Sequence, residues 1–120
     1  MTYDELCAYL LKHPGAIKEH PLGADILAFK VNDKIFALLA LQKKPIELTL
    51  KCKAENQTHY RKLFPAMVCG SVSNQTCWIT LPLDAGLPLF ALLDIIDESY
   101  EIVLKSLKKS IRDRLQMDRV

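Results

Sequence analysis

Cysteine, histidine and serine side chains are the groups in this sequence that could act as nucleophiles or bases. The candidates are Cys52, Cys69, Cys77, His59 and Ser99. A nucleophile needs a base within reach. The sequence contains no Gly-x-Ser-x-Gly turn, no glycine-rich phosphate loop and no His-Glu-x-x-His motif that would supply a known arrangement. We therefore expect a protein that is not an enzyme and has no cofactor, while a site assembled only by folding stays open.

The same side chains could also bind a metal, but their spacing does not favour it. No two of the four cysteines form a Cys-x-x-Cys pair, and His13, His20 and His59 do not stand near a cysteine at the spacing of a zinc module. The cysteines also lack the density of a disulfide framework. We expect reduced, structural thiols and no metal site.

Lysine and arginine side chains could bind the phosphates of a nucleic acid. The formal net charge of +2 is too small to indicate a polyanionic partner by itself. The charge is uneven, however, because residues 105–120 carry six basic side chains against Asp113 and Asp118. Lys51 and Lys53 alternate with apolar residues and should share the exposed face of a strand. A solvated strand face and the dipole of a helix also explain these charges.

Capping and periodicity predict the elements of the first half of the chain. Thr2 and Glu5 form a capping box for a helix that ends near His13, where Pro14 and Gly15 stop it. The stretch through Gly23 is predicted to be irregular. Strands are then predicted at 26–31, 35–41 and 46–53, and the first two are joined by a tight turn at Asn32 and Asp33.

In the second half of the chain the same patterns predict a short helix from about 54 to 64, a loop, a strand at 77–83 and one long helix from Pro88 through Ile111. Because strands and helices do not alternate, a parallel doubly wound sheet is disfavoured. We expect an antiparallel α+β sandwich in a single domain spanning residues 1–120, with a basic end to the last helix at about 105–120.

Two observations concern membranes and export. The residues after Met1 include Asp4 and Glu5 and lack the apolar core of a secretory signal. The most apolar stretch, from Leu87 to Ile96, is much shorter than the roughly 20 residues that a spanning helix needs. We expect a cytoplasmic protein with no membrane partner.

Several separated segments resemble the MmcQ/YjbR family of small bacterial proteins. They are His13-Pro14-Gly15-Ala16, Pro21-Leu22-Gly23, Phe29-Lys30-Val31, Lys34-Ile35-Phe36-Ala37, Leu50-Lys51-Cys52, the set Pro65, Gly70, Asn74 and Trp78, and finally Asp97-Glu98-Ser99-Tyr100. The resemblance implies a fold like that of the secretion chaperones, with the order α-β-β-β-α-β-β-α. It also implies DNA binding through strand and loop wings.

The candidate residues for nucleic-acid binding combine this resemblance with the charge pattern. They are Lys51, Lys53, Asn74, Trp78, Lys108, Lys109 and Arg112. Each also has a structural explanation: Trp78 can pack against the sheet, and Asn74 can satisfy backbone groups of a loop. Ser99 and Tyr100 are expected to hold the last helix to the sheet.

The chain departs from the family pattern at the segment that should contact phosphates. The residues that replace the family's Arg, Pro, Tyr, His, Lys, Arg and His are Val68, Cys69, Ser71, Val72, Gln75, Thr76 and Cys77. Fewer phosphate contacts mean weaker binding. We therefore expect weak DNA binding or, as the alternative, a protein-interaction module that contacts a partner or a second copy. A basic stripe from Lys51 to Arg112 would favour DNA, and an exposed apolar patch would favour protein.

Overall fold

Antiparallel strands form one sheet, and the helices pack on one of its faces. The computed structural model describes residues 2–20, 23–73, 75–84 and 87–117. Its elements are α1 (Tyr3–Leu11), β1 (Ala16–Glu19), β2 (Ile26–Val31), β3 (Lys34–Ala40), β4 (Glu47–Lys53), a 3-10 turn (Ala54–Asn56), α2 (Gln57–Leu63), β5 (Val68–Ser73), β6 (Thr76–Pro82), α3 (Leu89–Lys105) and α4 (Lys109–Met117). The α+β class expected from the sequence is confirmed. None of the described helices has the length and apolarity that a bilayer span requires.

The strand order in the sheet is β1-β2-β3-β4-β6-β5, and every pairing is antiparallel. The predicted turn between β2 and β3 is confirmed: Asn32 and Asp33 have φ of 49° and 68°. Two consecutive left-handed residues give the turn whose twist matches that of the flanking strands. Central strand β4 alternates as predicted, since Leu48, Leu50 and Cys52 are fully buried.

Those alternate residues form the core with the helices. From the strands the core takes Leu27, Phe29, Val31, Ala37, Leu39, Leu48, Leu50, Cys52, Cys77, Ile79 and Leu81; from the helices it takes Leu6, Leu10, Tyr60, Leu92, Ile95, Ile96, Tyr100, Val103 and Leu104. All four helices contribute to this one layer, because Ile111 and Leu115 of α4 also pack against it. The opposite face of the sheet therefore carries the other half of the strand side chains.

The structure corrects three details of the predicted element order. Residues predicted to be irregular include β1, which follows Gly15 (φ +77°) and pairs with β2. Its sequence Ala-Ile-Lys-Glu shows no alternation, so pattern alone could not identify it. The residues that the pattern alone predicts as a loop after Pro65 include β5, which forms a hairpin with β6 and is the additional strand that the family resemblance implies there.

The third correction concerns the long helix, which breaks at Ser106–Lys108 into α3 and α4. A straight helix from 89 to 117 would be about 43 Å long, and the longest dimension of the molecule is 39 Å. The break returns Leu115 to the core side, where its Cδ2 lies 2.7 Å from the position that a Cβ on Gly15 would occupy. Apolar periodicity continues through the break, which is why the sequence predicts a single helix.

The segment Asp97–Tyr100 on α3 joins the helix layer to the rest of the molecule through every one of its side chains. Ser99 Oγ donates to the carbonyl of Phe36 at 2.6 Å and accepts from the N–H of Lys51 at 2.9 Å. These groups lie where the ladder between β3 and β4 ends, beside the irregular register at Phe36. The expected anchoring role of Ser99 thus has a direct geometric basis.

The neighbours of Ser99 make equivalent contacts with other elements. Glu98 accepts from the N–H of Lys53 at 2.7 Å, from the Asn56 amide at 2.8 Å and from the Tyr60 hydroxyl at 3.1 Å. Tyr100 donates to the carbonyl of Pro14. These contacts fix α3 under β3 and β4 and leave the opposite face of the sheet uncovered by any described helix.

Candidate binding surface on the open sheet face

The open sheet face consists of the strand side chains that point away from the helices. Its middle is a line of residues in register across five strands, which we name the central row: Ala28, Leu38, Thr49, Thr80 and Val68. None of these five residues is charged, and the same line ends on the edge strand β1 at Glu19, opposite Ala28. Thr49 and Thr80 share a hydrogen bond of 2.9 Å between their hydroxyls, so part of their polarity is already satisfied.

Lys51 and Trp78 lie on one side of the central row as a directly opposed pair on β4 and β6. The Lys51 Nζ is 5.0 Å from the centre of the Trp78 ring, which is the geometry of a cation–π contact. Lys53 is two residues further along β4 on the same face and is exposed. Three of the predicted candidates are therefore neighbours on the open sheet face, and Trp78 lies half-buried outside the core.

Glu47 and Pro82 lie on the other side of the central row, again as an opposed pair on β4 and β6. Glu47 is also opposite Ala40 of β3. Towards β1, Lys30 forms an ion pair with Glu19 at 2.8 Å. The open sheet face thus carries charges of both signs. The positive residues are Lys30, Lys51 and Lys53, and the negative residues are Glu19 and Glu47.

The three helical candidates lie in the other layer. Lys108 precedes α4, and Lys109 and Arg112 lie on it; α4 packs on the helix side through Leu115, beside Gly15 and Val31. Lys109 pairs with Asp113 at 3.7 Å, and Arg112 reaches the carbonyl of Lys105 at 3.5 Å. The structure does not join these residues to Lys51 in a basic stripe. Asn74, the remaining candidate, lies outside the described residues.

Strand β5 presents apolar side chains where the family pattern is basic. Val68 is 66% exposed and Val72 is 59% exposed. The register between β5 and β6 is irregular between Cys69 and Val72. At Gly70, within this irregularity, a Cβ would lie 3.3 Å from the carbonyl oxygen of Trp78. The edge of the sheet is therefore uncharged at these valines and is bent, a feature that disfavours continued pairing along the edge.

The reactive side chains do not form a nucleophile and base among the described residues. Cys52 and Cys77 lie opposite each other in the core with their Sγ atoms 3.5 Å apart. Burial, and then the contact with Cys77, raise the pKa of the Cys52 thiol, which keeps it protonated. Ser99 is occupied by two backbone groups, and His59 is exposed on α2 beside Tyr60.

A polar cluster that the sequence does not predict lies between α1 and α3. The His13 Nε2 lies 2.9 Å from Asp97 Oδ1, and the hydroxyl of Tyr9 donates to the same oxygen at 2.7 Å. Burial and the hydrogen bond to Asp97 raise the pKa of Tyr9. The cluster borders an open hollow of about 280 Å³ that Lys12, Pro14 and Glu101 also line. More than 80 residues separate the two halves, so no spacing rule could have found it.

Comparisons with known proteins agree with this architecture. The model of the YjbR family matches residues 11–102, more than three quarters of the chain. The Deinococcus radiodurans protein DR2400, described by a domain called DUF419, is 27% identical with a TM-score of 0.81, over 96% of this chain and 88% of its own. A protein from Pseudomonas syringae is 22% identical with a TM-score of 0.67, over 86% of this chain and 99% of its own, and shares the fold. No functionally curated protein matches the chain in sequence.

Proposed function

The chain belongs to the YjbR family, and from that premise we propose that it is a non-enzymatic protein-binding module whose interface is the open sheet face. The observation that carries the proposal is the uncharged central row, which crosses five strands and has no described helix over it. A sheet with one face in the core and the other lined by residues such as Leu38, Trp78 and Val68 gains free energy when a partner covers that second face.

The balance of charge favours a protein over a nucleic acid. Lys30 is neutralised by Glu19. Glu47 lies on the same strand, β4, and on the same face as Lys51. A polyanion would meet these carboxylates together with the lysines. Interfaces between proteins, in contrast, combine an apolar and aromatic centre with a few charges of both signs.

The free thiols support a cytoplasmic setting for this function. All four cysteines are free thiols in the structure. Thiols are kept reduced in the cytosol, whereas exported proteins tend to form disulfides.

Site-specific cross-linking tests the proposal. A photoreactive benzoylphenylalanine replaces Val68 on the open sheet face or, as a matched control, Lys62 on α2; both positions are exposed. The expected result, in the cells from which the protein comes, is a discrete protein adduct from position 68 and none from position 62. Adducts of equal yield from both positions, or no protein adduct from position 68, contradict the proposal.

Weak nucleic-acid binding is the second candidate, and the cluster of Lys51, Lys53 and Trp78 favours it. A lysine pair beside a half-buried aromatic ring is a small version of the surfaces that bind single strands by phosphate contact and base stacking. Two neutralised phosphates give a salt slope of about −1.4 for a single strand. Such binding lacks sequence specificity, because phosphate contacts carry none.

Fluorescence anisotropy of labelled single-stranded and duplex DNA tests the second candidate across a range of salt. If it is right, Lys51→Gln with Lys53→Gln flattens the salt slope to near zero, and the control pair Lys108→Gln with Lys109→Gln leaves the slope unchanged. Absence of saturable binding at low salt rules out DNA binding by this surface.

A further inference from the structure

We infer that the protein bound by the open sheet face is a second copy of this chain, in a two-fold dimer whose axis runs along the central row. The inference rests on the proposed function and names its partner. Its basis is the arrangement of charge and size about that row on the neighbouring strands β3, β4 and β6, which is complementary to itself.

A two-fold axis along the row places each strand over its own copy, running in the opposite direction. Residues on the axis meet their own counterparts, and residues on one side of the row meet those on the other side of the second copy. Like charges on the axis would therefore repel. Ala28, Leu38, Thr49, Thr80 and Val68 are all uncharged, so five strands meet this requirement. On the edge strand β1 the same line reaches Glu19, whose charge is paired with Lys30.

The residues beside the row complement each other in charge and in size. On β4, Glu47 and Lys51 lie two positions either side of Thr49, so the axis brings Lys51 against Glu47 of the second copy, twice per dimer. On β6, Trp78 and Pro82 lie two positions either side of Thr80, which sets the large indole against a flat proline ring.

Strand β3 follows the same pattern once its irregular register is included. Lys30 is opposite Ile35, and Ala28 is opposite Leu38, so the strand has one extra residue between them. Ile35 and Ala40 are therefore the next residues of β3 on this face on either side of Leu38. The axis sets the large Ile35 side chain against the small Ala40 side chain of the second copy. Three adjacent strands thus pair opposite charge or unequal size about one axis.

The dimensions of the face predict a dimer of modest affinity. Six strands spaced about 4.8 Å apart and up to seven residues long project an area of roughly 500 Å². A standard interface buries about 800 Å² on each partner. Because stacked sheets are rotated by about 30°, contacts on β4 near the middle of the sheet are retained best. We therefore expect the Lys51 and Glu47 pairs to control association.

A charge-swap series tests the inference on the full chain. Sedimentation velocity measures the dissociation constant of wild type, of Glu47→Lys, of Lys51→Glu and of the double variant Glu47→Lys/Lys51→Glu. Each single change sets like charges against each other twice, so we expect dissociation constants at least about tenfold higher. The double variant restores opposite pairs and should return to within about threefold of wild type. Lys62→Glu, which changes the net charge equally on the helix side, should have no effect.

Trp78 gives a second readout, because it is the single tryptophan of the chain and lies on the open sheet face. Quenching of its fluorescence by acrylamide should decrease as the concentration of wild-type protein rises, and the single variants should lose this dependence. A chain that stays monomeric at all concentrations, or a dimer whose affinity is unchanged by both single variants, Glu47→Lys and Lys51→Glu, overturns the inference.

The outcome is distinguishable from failure of the proposed function. If the chain is monomeric but the photoreactive group at Val68 captures a different protein, the second copy is wrong and the protein-binding face stands. If that group captures no protein at all, both fail. Cross-linked dimers from position 68, with restoration by the double charge swap, support both.

Discussion

At the scale of single residues, Ser99 contributes to stability by hydrogen bonding to two backbone groups where the ladder between β3 and β4 ends. Replacing it with alanine leaves the Phe36 carbonyl and the Lys51 N–H without their hydrogen bonds. We expect Ser99→Ala to lower the free energy of unfolding by about 2 to 4 kcal/mol in urea denaturation. Ser106→Ala is the matched control, since exposed Ser106 bonds the carbonyl of Val103, and its loss should be below about 1 kcal/mol. Equal losses would contradict the role of Ser99.

Tyr60 gives a prediction about alkaline pH. Burial, followed by the negative charge of Glu98 and the hydrogen bond to it, raises its pKa in the folded state. Since an unfolded tyrosine ionises near about pH 10, the contribution of Tyr60 to stability is complete below that pH and is lost as the pH rises above it. Urea unfolding from about pH 9 to 11 should show a smaller loss of stability for Tyr60→Phe than for wild type. Parallel losses would show that another group is responsible.

At the scale of elements, α4 depends on the absence of a side chain at Gly15. Gly15→Ala forces a non-glycine residue into φ +77° and places its Cβ 2.7 Å from Leu115 Cδ2. Gly23→Ala is a matched control, because it has φ +101° but no atom within 4 Å. Both variants incur backbone strain of about 1 to 2 kcal/mol, and we expect a larger total loss for Gly15→Ala. It should also increase proteolysis at the break between α3 and α4.

The double variant Gly15→Ala/Leu115→Ala separates the two causes. Removing the leucine side chain gives the new methyl group room. The double variant should therefore lose less free energy of unfolding than the two single variants lose in sum, and the difference is the coupling energy. Simple additivity would mean that Gly15 matters only for its backbone conformation.

The sequence predicts those elements whose side chains carry their own pattern. Alternation identifies β4, and capping at Thr2 identifies α1, whose capping box is present. Strand β1 has no alternation, and the break after Lys105 does not interrupt the apolar spacing, so both depend on packing that no local window contains. The same limit applies to the candidate site. Lys51 and Lys53 follow from alternation, whereas the register that sets Lys51 beside Trp78, and the layer that separates Arg112 from both, exist only in the folded chain.

At the scale of the whole molecule, the two faces of the sheet have different roles. Asp97, Glu98, Ser99 and Tyr100 commit their side chains to holding one layer of helices. The other face consists of the alternate strand side chains, and no described helix packs on it. If this face binds a second copy, as we propose, association adds to the stability of the folded chain.

That link predicts a stability that depends on protein concentration. If a second copy binds only the folded chain, mass action adds stability above the dissociation constant, about 0.7 kcal/mol per chain for each tenfold rise in concentration. For a chain of this size the thermal midpoint should rise by roughly 2 to 3 °C per tenfold. Differential scanning calorimetry over about a hundredfold range should show this rise for wild type and for Lys62→Glu. Lys51→Glu should begin to show this rise only at concentrations at least about tenfold higher, because its dissociation constant is raised by that factor. A rise equal to that of wild type at every concentration would place the association on another surface.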